Sequence, residues 1–296
     1  MSSPPTSNLR GIALMVIATC VFSVNDVLMK LATEGLPPYQ VLFMRGVLAS
    51  LILLPVVLLS GNGRQLKHVF DRWVVLRNLF ELFAVLCFVV ALANMPIADL
   101  SALGQISPML LLLGVAVIYR EKIGRSRLLL MVLGFAGALL VAQPGGSGAT
   151  PYAVLGVLTA IGTAARDIVG RKVGTNIPAL VVAYSTLLLV MVGAGIATFG
   201  FEQWVMPSPR HLLLLAGSGL FLSLGHIFIF MSYRAAATSA VAPFYYLFSL
   251  WAMLSGVFVF GTFPNALAIA GICLIVISGV AVVLLDERRR RLMVLA

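Results

Sequence analysis

The sequence predicts an all-α integral membrane protein: ten transmembrane helices arranged as an inverted repeat of two five-helix halves. Three observations lead there: the scarcity of charge, the length of the apolar runs, and the side on which the basic residues fall. With 20 Lys+Arg and 10 Asp+Glu, only 10% of the 296 residues are charged, while 61% are hydrophobic. A soluble domain carries roughly 25% charged residues, so this chain cannot clothe a globular surface, and its mean hydropathy of +1.07 agrees. Soluble enzymes, nucleic-acid binders and disordered chains are excluded together. A chain in lipid must satisfy its backbone internally, as helices or a closed barrel. The apolar runs here are about 20 residues long rather than about 10, which selects helices.

Ten segments are long enough to span: residues 11–30, 38–59, 73–93, 98–119 and 126–142, then 151–170, 178–199, 211–231, 239–260 and 264–285. The connections carry turn chemistry, in Glu34-Gly35-Leu36-Pro37-Pro38, Gly61-Asn62-Gly63, Pro144-Gly145-Gly146 and Phe263-Pro264-Asn265. Prolines 38, 151, 178 and 264 open spans, where the first helical turn tolerates them. Residues 1–9 lack the basic region and cleavage site of a signal peptide, so the first span is expected to be retained. Cys20, Cys87 and Cys273 share no metal-like spacing and leave no complete disulfide framework. They read as small apolar residues inside helices.

Orientation follows from the basic residues. With the N-terminus cytoplasmic, the inner segments hold Arg10, Arg64, Lys67, Arg72, Arg120, Lys122, Arg125, Arg127, Arg171, Lys172, Arg234 and Arg288 to Arg291. The outer loops hold only Arg210, and Lys30, Arg45, Arg77 and Arg166 fall within spans. An asymmetry of 15 to 1 over short loops places both termini in the cytoplasm and the chain in the cell (inner) membrane. It also supports the count, because one missed span would invert every later loop.

The Gly-rich linker 143–150 divides the chain into a first repeat, 1–142, and a second, 151–296, which ends in a basic tail. Weak self-similarity crosses it at an offset of about 141 residues, which lays 98–119 over 239–260 and Tyr246 over Gln105. Five spans is an odd number, so the second half enters the membrane from the opposite side. Two such halves form an inverted repeat, a plan used by transporters that bind their solute near the midplane.

An ordered set of short motifs runs along this frame. It begins with Asn25-Asp26-Val27-Leu28-Met29-Lys30, Phe43-Met44-Arg45-Gly46 and Leu76-Arg77-Asn78. It continues through Met95-Pro96-Ile97-Ala98, Ser107-Pro108, Tyr119-Arg120-Glu121-Lys122 and Gly134-Phe135-Ala136-Gly137. The second half adds Ser239-Ala240-Val241-Ala242-Pro243-Phe244-Tyr245-Tyr246 and Phe260-Gly261-Thr262-Phe263-Pro264. Over residues 11–285 this pattern resembles the ten-helix EamA-type members of the drug/metabolite transporter superfamily. Members often carry Glu after the Phe-Gly pair, and here the position is Thr262, so no role of that acid transfers. The resemblance implies a solute such as S-adenosylmethionine, riboflavin, an amino acid or a small metallophore. It also implies a cavity lined by the first, third, fourth, sixth, eighth and ninth spans, with the fifth and tenth peripheral.

Ionisable groups inside a membrane cost about 2.5–3.5 kcal/mol each on insertion scales, so they are the first candidates for function. Asp26 and Lys30 are spaced i,i+4, as are Arg77 and Glu81, with Asn78 between them. Arg166 and Asp167 lie near the end of the sixth span, and Arg45 stands in the second without an acid of its own. Local ion pairing and snorkelling are the bland readings for Lys30, Arg77 and Arg166. Arg45 needs an anionic partner, and Asp26 in the neighbouring hairpin is the candidate. The expected solute-binding set is Asn25, Asp26, Arg45, Asn78, Glu81, Gln105, His226, Tyr245, Tyr246 and Trp251. In it, carboxylates meet a cation and aromatic rings stack on the solute. Asp26, Glu81 and Asp167 are the candidates for proton coupling. The expected dense glycines of the fifth, seventh and tenth spans serve close helix approach, within a monomer or across a homodimer.

The function expected is secondary active transport of a small cationic or zwitterionic organic metabolite by alternating access. The partners are the lipid bilayer and the solute, with a proton as the candidate coupling ion, and without nucleic acid, cofactor or metal. A lipid flippase or multidrug exporter of the same superfamily is the alternative. An integral-membrane enzyme would need clustered His/Asp/Glu or interfacial Arg motifs, and the three histidines are scattered.

Overall fold

The computed structural model describes residues 7–95, 97–104, 106–120, 124–142, 152–261 and 265–295. Every regular element among them is helical: α1 (Ser7–Thr33), α2 (Pro38–Leu59), α3 (Arg72–Asn94), α4 (Ile97–Gly104), α5 (Ile106–Ile118) and α6 (Arg125–Ala142). The second half contributes α7 (Tyr152–Gly170), α8 (Ala179–Phe201), α9 (Pro209–Ala235), α10 (Thr238–Val241), α11 (Leu247–Phe260) and α12 (Ala266–Leu295). Short 3₁₀ segments cover Gly63–Phe70 and Ala242–Tyr246.

Among the described residues, seven helical segments are long and apolar enough to cross a membrane, and three shorter apolar stretches occur at Ile106–Ile118, Leu128–Gly137 and Ile269–Ala281. The shorter ones coincide with the expected fourth, fifth and tenth spans. Two expected spans are each described in more than one segment. The fourth consists of α4 and α5 on either side of residue 105, which lies outside the described residues. The ninth winds as 3₁₀ over Ala242–Tyr246 before α11, because Pro243 has no N–H to give to an α-helical ladder. The last helix runs past the expected boundary at 285 to Leu295.

The outer surface of the bundle is apolar. Leu51, Leu129, Ile196, Phe199, Leu213 and Phe258 are all exposed, an arrangement that exceeds the scattered apolar residues of soluble surfaces. Polar groups go inward instead: Asn25, Asp26, Arg45, Arg77, Asn78, Glu81, Arg166 and His226 are all buried. This inversion is what a lipid solvent selects, and the chain is a multi-span membrane protein.

Helices pack in pairs drawn from the two halves. The most extensive contacts join α1 to α9, α3 to α7, α2 to α8 and α6 to α12, and the next join α2 to α9, α5 to α7, α3 to α8 and α1 to α11. Small residues set the spacing. A Cβ on Gly219 of α9 would stand 2.9 Å from Ala49 Cβ and 3.1 Å from Ala49 Cα of α2. A Cβ on Gly137 of α6 would stand 2.7 Å from the Gly271 carbonyl oxygen of α12. These glycines serve packing inside the chain.

Polar side chains close the helix ends. At the face holding the C-terminus of α1, the Glu202 carboxylate accepts the N–H groups of Tyr39 and Gln40, each at 2.9 Å. These are orphan donors at the start of α2, so the contact pins α2 to the end of α8. Gln40 adds a reciprocal pair with the backbone of Val205. On the same face Lys30 Nζ donates to the carbonyls of Leu92 (2.9 Å) and Met95 (3.1 Å) at the end of α3. Lys30 therefore neither snorkels nor pairs with Asp26; it caps a neighbouring helix whose last carbonyls lack partners. The other face, which carries Arg64, Lys67, Arg72, Arg171, Lys172 and Arg234, is the basic face.

Overpacking a helix crossing costs roughly 1–3 kcal/mol. Gly219→Val is expected to lower the thermal unfolding midpoint in detergent. Gly200→Val, at a position with nothing within 4 Å, is expected to leave it near the wild-type value. Equal midpoints for the two variants would mean that the α2–α9 crossing is looser than described.

Candidate functional site

Buried charges of α1, α2, α3, α7 and α9 meet in the middle of the bundle. The strongest link is Arg166 on α7. Its Nη1 lies 2.7 Å from Glu81 Oε2 on α3, and its Nε lies 2.7 Å from Asp167 Oδ1. The Arg166 side chain is 5% exposed and Glu81 is 10% exposed, so this is an interior pair and not a snorkelling one. His226 of α9 places Nε2 3.4 Å from the other oxygen of Glu81, while its ring meets Phe22 edge-on at 5.3 Å.

The i,i+4 pairs suggested by spacing are replaced by bonds between helices. Arg77 Nη1 donates to Asn78 Oδ1 (3.0 Å) and Thr186 Oγ1 (2.8 Å). Asn78 Nδ2 donates to Ser185 Oγ at 2.8 Å, and Thr186 Oγ1 donates to Asn78 Oδ1 at 2.8 Å. This patch fastens α3 to α8. Glu81 is left for Arg166.

A second cluster lies nearer the Glu202 face. Asn25 Nδ2 donates to Asp26 Oδ1 at 2.8 Å. Asn25 Oδ1 accepts from Ser218 Oγ (2.7 Å) and from Arg45 Nη1 (3.2 Å). The expected direct pair between Asp26 and Arg45 is not closed, because the Asn25 amide stands between them and bonds to both. Arg45 Nη1 also approaches Met29 Sδ at 3.1 Å.

Both clusters face one cavity of about 120 Å³. Asn25, Asp26, Arg45, Glu81 and Tyr245 of the expected set line it, together with Arg166. The apolar wall includes Phe22, Phe88 and Phe248, and Thr159 and Thr163 add hydroxyls. Other expected residues sit elsewhere. Tyr246 is fully buried against Met131, Phe135 and Ile275, and its ring fills the space that Gly134 leaves. Trp251 Nε1 donates to Thr19 Oγ1 at 3.2 Å, which ties α11 to α1. On a helical stretch the cavity can claim only one side: Tyr245 and Phe248, three apart, share it, and Tyr246 and Trp251 fall on packing sides. Asn78 and His226 support Arg77 and Glu81 from outside the lining, and Gln105 lies outside the described residues.

A second cavity, of about 470 Å³, opens at the basic face and is lined by Arg77, Asp167, Arg171, Phe230, Tyr233 and Arg234. Arg166 and Glu81 line the first cavity and Asp167 the second, so the ion pairs of Arg166 stand in the partition between them. Among the described residues no group of three His, Cys, Asp or Glu is placed to hold a metal ion.

Sequence reasoning passed over Arg166 as an interfacial residue, and missed Phe22 and the two threonines. The adjacency of Arg166 to Asp167 was the available signal, since an acid beside an arginine gives it reason to stay buried.

Residues 9–143 match the EamA-like transporter family. The chain is similar along most of its length to several bacterial transporters. It is 27% identical to the pseudopaline exporter CntI of Pseudomonas aeruginosa, over 92% of this chain and 95% of that one. It is 26% identical to the S-adenosylmethionine uptake transporter of Rickettsia prowazekii, over 95% and 94%. It is 28% identical to the riboflavin transporter of Rhizobium johnstonii, over 97% and 95%. A solved crystal structure shares the fold with a TM-score of 0.77 at 18% identity, covering 97% of this chain and 99% of that one.

Removing one partner of a buried ion pair strands the other and costs roughly 3–5 kcal/mol. Arg166→Met is expected to lower the thermal midpoint sharply, and adding Glu81→Gln to it is expected to recover part of the loss. A single variant as stable as wild type would show that the partition is solvated.

Proposed function

We propose that this chain, which carries an EamA-like transporter domain over residues 9–143, is a secondary active transporter that moves a small cationic or zwitterionic organic metabolite by alternating access. The observation that carries the reading is the central cavity: two carboxylates and two guanidiniums, all buried, face one small space inside an apolar bundle. Charge placed there is expensive, and a solute that needs both signs is a reason to keep it. The named relatives are transporters of small metabolites, and the family and the relatives point away from catalysis.

The architecture we propose is the ten-span inverted repeat, with 1–142 and 151–296 as its halves. The helix packing supports it. Matching each span to the one five places later turns the α1–α9 contact into α7–α3, α2–α9 into α8–α3, and α1–α11 into α7–α5, all of which occur. The α2–α8 and α6–α12 contacts map onto themselves. At the offset of 141, Asn25-Asp26 falls on Arg166-Asp167. Each half thus brings one aspartate to the solute path.

The basic face is the cytoplasmic one in this reading, by the positive-inside rule, so both termini lie inside. The 470 Å³ cavity then opens to the cytoplasm, with the Arg166 ion pairs closing it off from the central cavity. Its counterpart on the other face is sealed: Met29, Val89 and Leu92 are fully buried, and Lys30 clamps the end of α3. Of the three carboxylates that could exchange a proton, Glu81 and Asp167 are tied to Arg166. Asp26 has only the neutral Asn25 as its hydrogen-bond donor among the described residues, which makes it the best placed to respond to a solute or a proton. An amphiphile is a poorer fit. The apolar recess between α3 and α7, lined by Leu76, Phe80, Phe83 and Ile161, shares no lining residue with the central cavity. The glycine contacts are spent inside the chain, which favours a monomer.

Reconstituted protein is expected to move radiolabelled S-adenosylmethionine or an amino acid across liposomes, with Asp26→Asn slowing the rate tenfold or more. Wild-type rates in that variant would remove Asp26 from the mechanism. A reporter fused after Ala296 is expected to read as cytoplasmic, and a periplasmic reading would overturn the proposed span count.

A further inference from the structure

The central cavity holds a cation and an anion that the protein keeps apart. Arg45 is 2% exposed, and its Nε has no hydrogen-bond partner. Its Nη1 reaches only the Asn25 amide oxygen and the Met29 thioether. Among the described residues the ion pairs in the bundle involve Arg166 and His226, and none involves Arg45. Asp26 is 7% exposed and accepts from Asn25. Asn25 is itself fixed by Ser218, so one amide holds the guanidinium on its oxygen and the carboxylate on its nitrogen.

A desolvated ion is costly unless an opposite charge or several hydrogen bonds meet it. Arg166 shows how this chain meets that demand where neutrality is all that is needed: two carboxylates lie against it at 2.7 Å. Arg45 has an amide and a weak sulfur acceptor instead, while an unpartnered nitrogen is common to both, Nε in Arg45 and Nη2 in Arg166. Among the described residues the guanidinium therefore meets no carboxylate, and the carboxylate beside it meets no hydrogen-bonding cation.

We propose that Asp26 and Arg45 form a receptor for the α-amino acid head group of the solute, with the solute's carboxylate on Arg45 and its ammonium on Asp26. This rests on the transporter reading and narrows it. A planar guanidinium matches a carboxylate in two parallel bonds. The volume agrees: about 120 Å³ is slightly less than the roughly 150 Å³ that admits benzene. That holds a head group and not a drug-sized molecule, whose pockets begin at about 300 Å³. The rest of the solute then lies towards Phe22, Phe88, Tyr245 and Phe248, or in the cavity at the basic face once the Arg166 partition opens. A neutral solute such as riboflavin satisfies neither ion.

The test is a thermal-shift titration of the purified protein with free L-amino acids, their methyl esters, their N-acetyl derivatives, S-adenosylmethionine and riboflavin, each at millimolar concentration. A ligand of the folded state raises the midpoint by mass action. The expected result is that S-adenosylmethionine or at least one free amino acid stabilises the protein. For any amino acid that does, the ester and the N-acetyl form bind more weakly by roughly tenfold or more, the usual worth of a charge-assisted contact. Arg45→Gln and Asp26→Asn are expected to lose the shift. The analogue comparison uses the wild-type protein, so it stands even where a variant folds poorly. The inference is overturned if riboflavin is the strongest stabiliser, if ester and free acid bind alike, or if neither S-adenosylmethionine nor any free amino acid shifts the midpoint. Liposome transport of riboflavin in that case would leave the transporter reading intact and sink only the head-group receptor. Failure of every probe to cross would sink the transporter reading.

Discussion

A guanidinium in the interior of an apolar bundle has to be met by an opposite charge or by several hydrogen bonds, and Arg166 is where this molecule answers that demand with two carboxylates. Its bonds to Glu81 and Asp167 fix α7 against α3, which is among the most extensive helix contacts in the chain. Glu81 in turn positions His226 on α9, and α9 carries the long contact with α1. The same pairs stand between the two cavities. One set of ions therefore sets the helix framework and the path a solute would take, and the interface can open only by separating charges or trading them for solute charges.

Arg45 gives the constraint its second form. There the protein supplies an amide and a sulfur where Arg166 has two carboxylates. Two buried arginines, treated so differently, are hard to explain by stability alone. A bundle selected for stability would close Asp26 onto Arg45 and drop the Asn25 spacer. Under the proposed mechanism the difference separates two tasks: one arginine holds the partition shut, and the other waits for an anion.

Much of this was legible in the sequence because the solvent is lipid. Apolar length located the helices, and the rarity of charge pointed to Asp26, Arg45 and Glu81 before any coordinates, all three of which line the cavity. What spacing could not supply was partner choice. The i,i+4 rule offers Lys30 to Asp26 and Glu81 to Arg77, yet Lys30 caps α3 from 62 residues away and Glu81 binds Arg166 from 85 residues away. In a packed bundle a neighbouring helix outbids the local turn, since an interhelical bond also satisfies an orphan group. Glu202 carries no local sign that it caps α2, 162 residues earlier. The aromatic cluster was similarly half legible: Tyr245 reaches the cavity, but the 3₁₀ winding at Pro243 decides which ring faces it. Tyr246 goes to fill the gap at Gly134.

The central claim is that the unmatched pair of ions in the middle of the bundle is the solute's seat. A cryo-EM structure determined with the strongest stabilising solute tests it most directly. The account predicts density between Asp26 and Arg45, with a solute anion on the Arg45 guanidinium and the Glu81–Arg166 pair still closed beside it. Density confined to the cavity at the basic face, with Arg45 untouched, would contradict it.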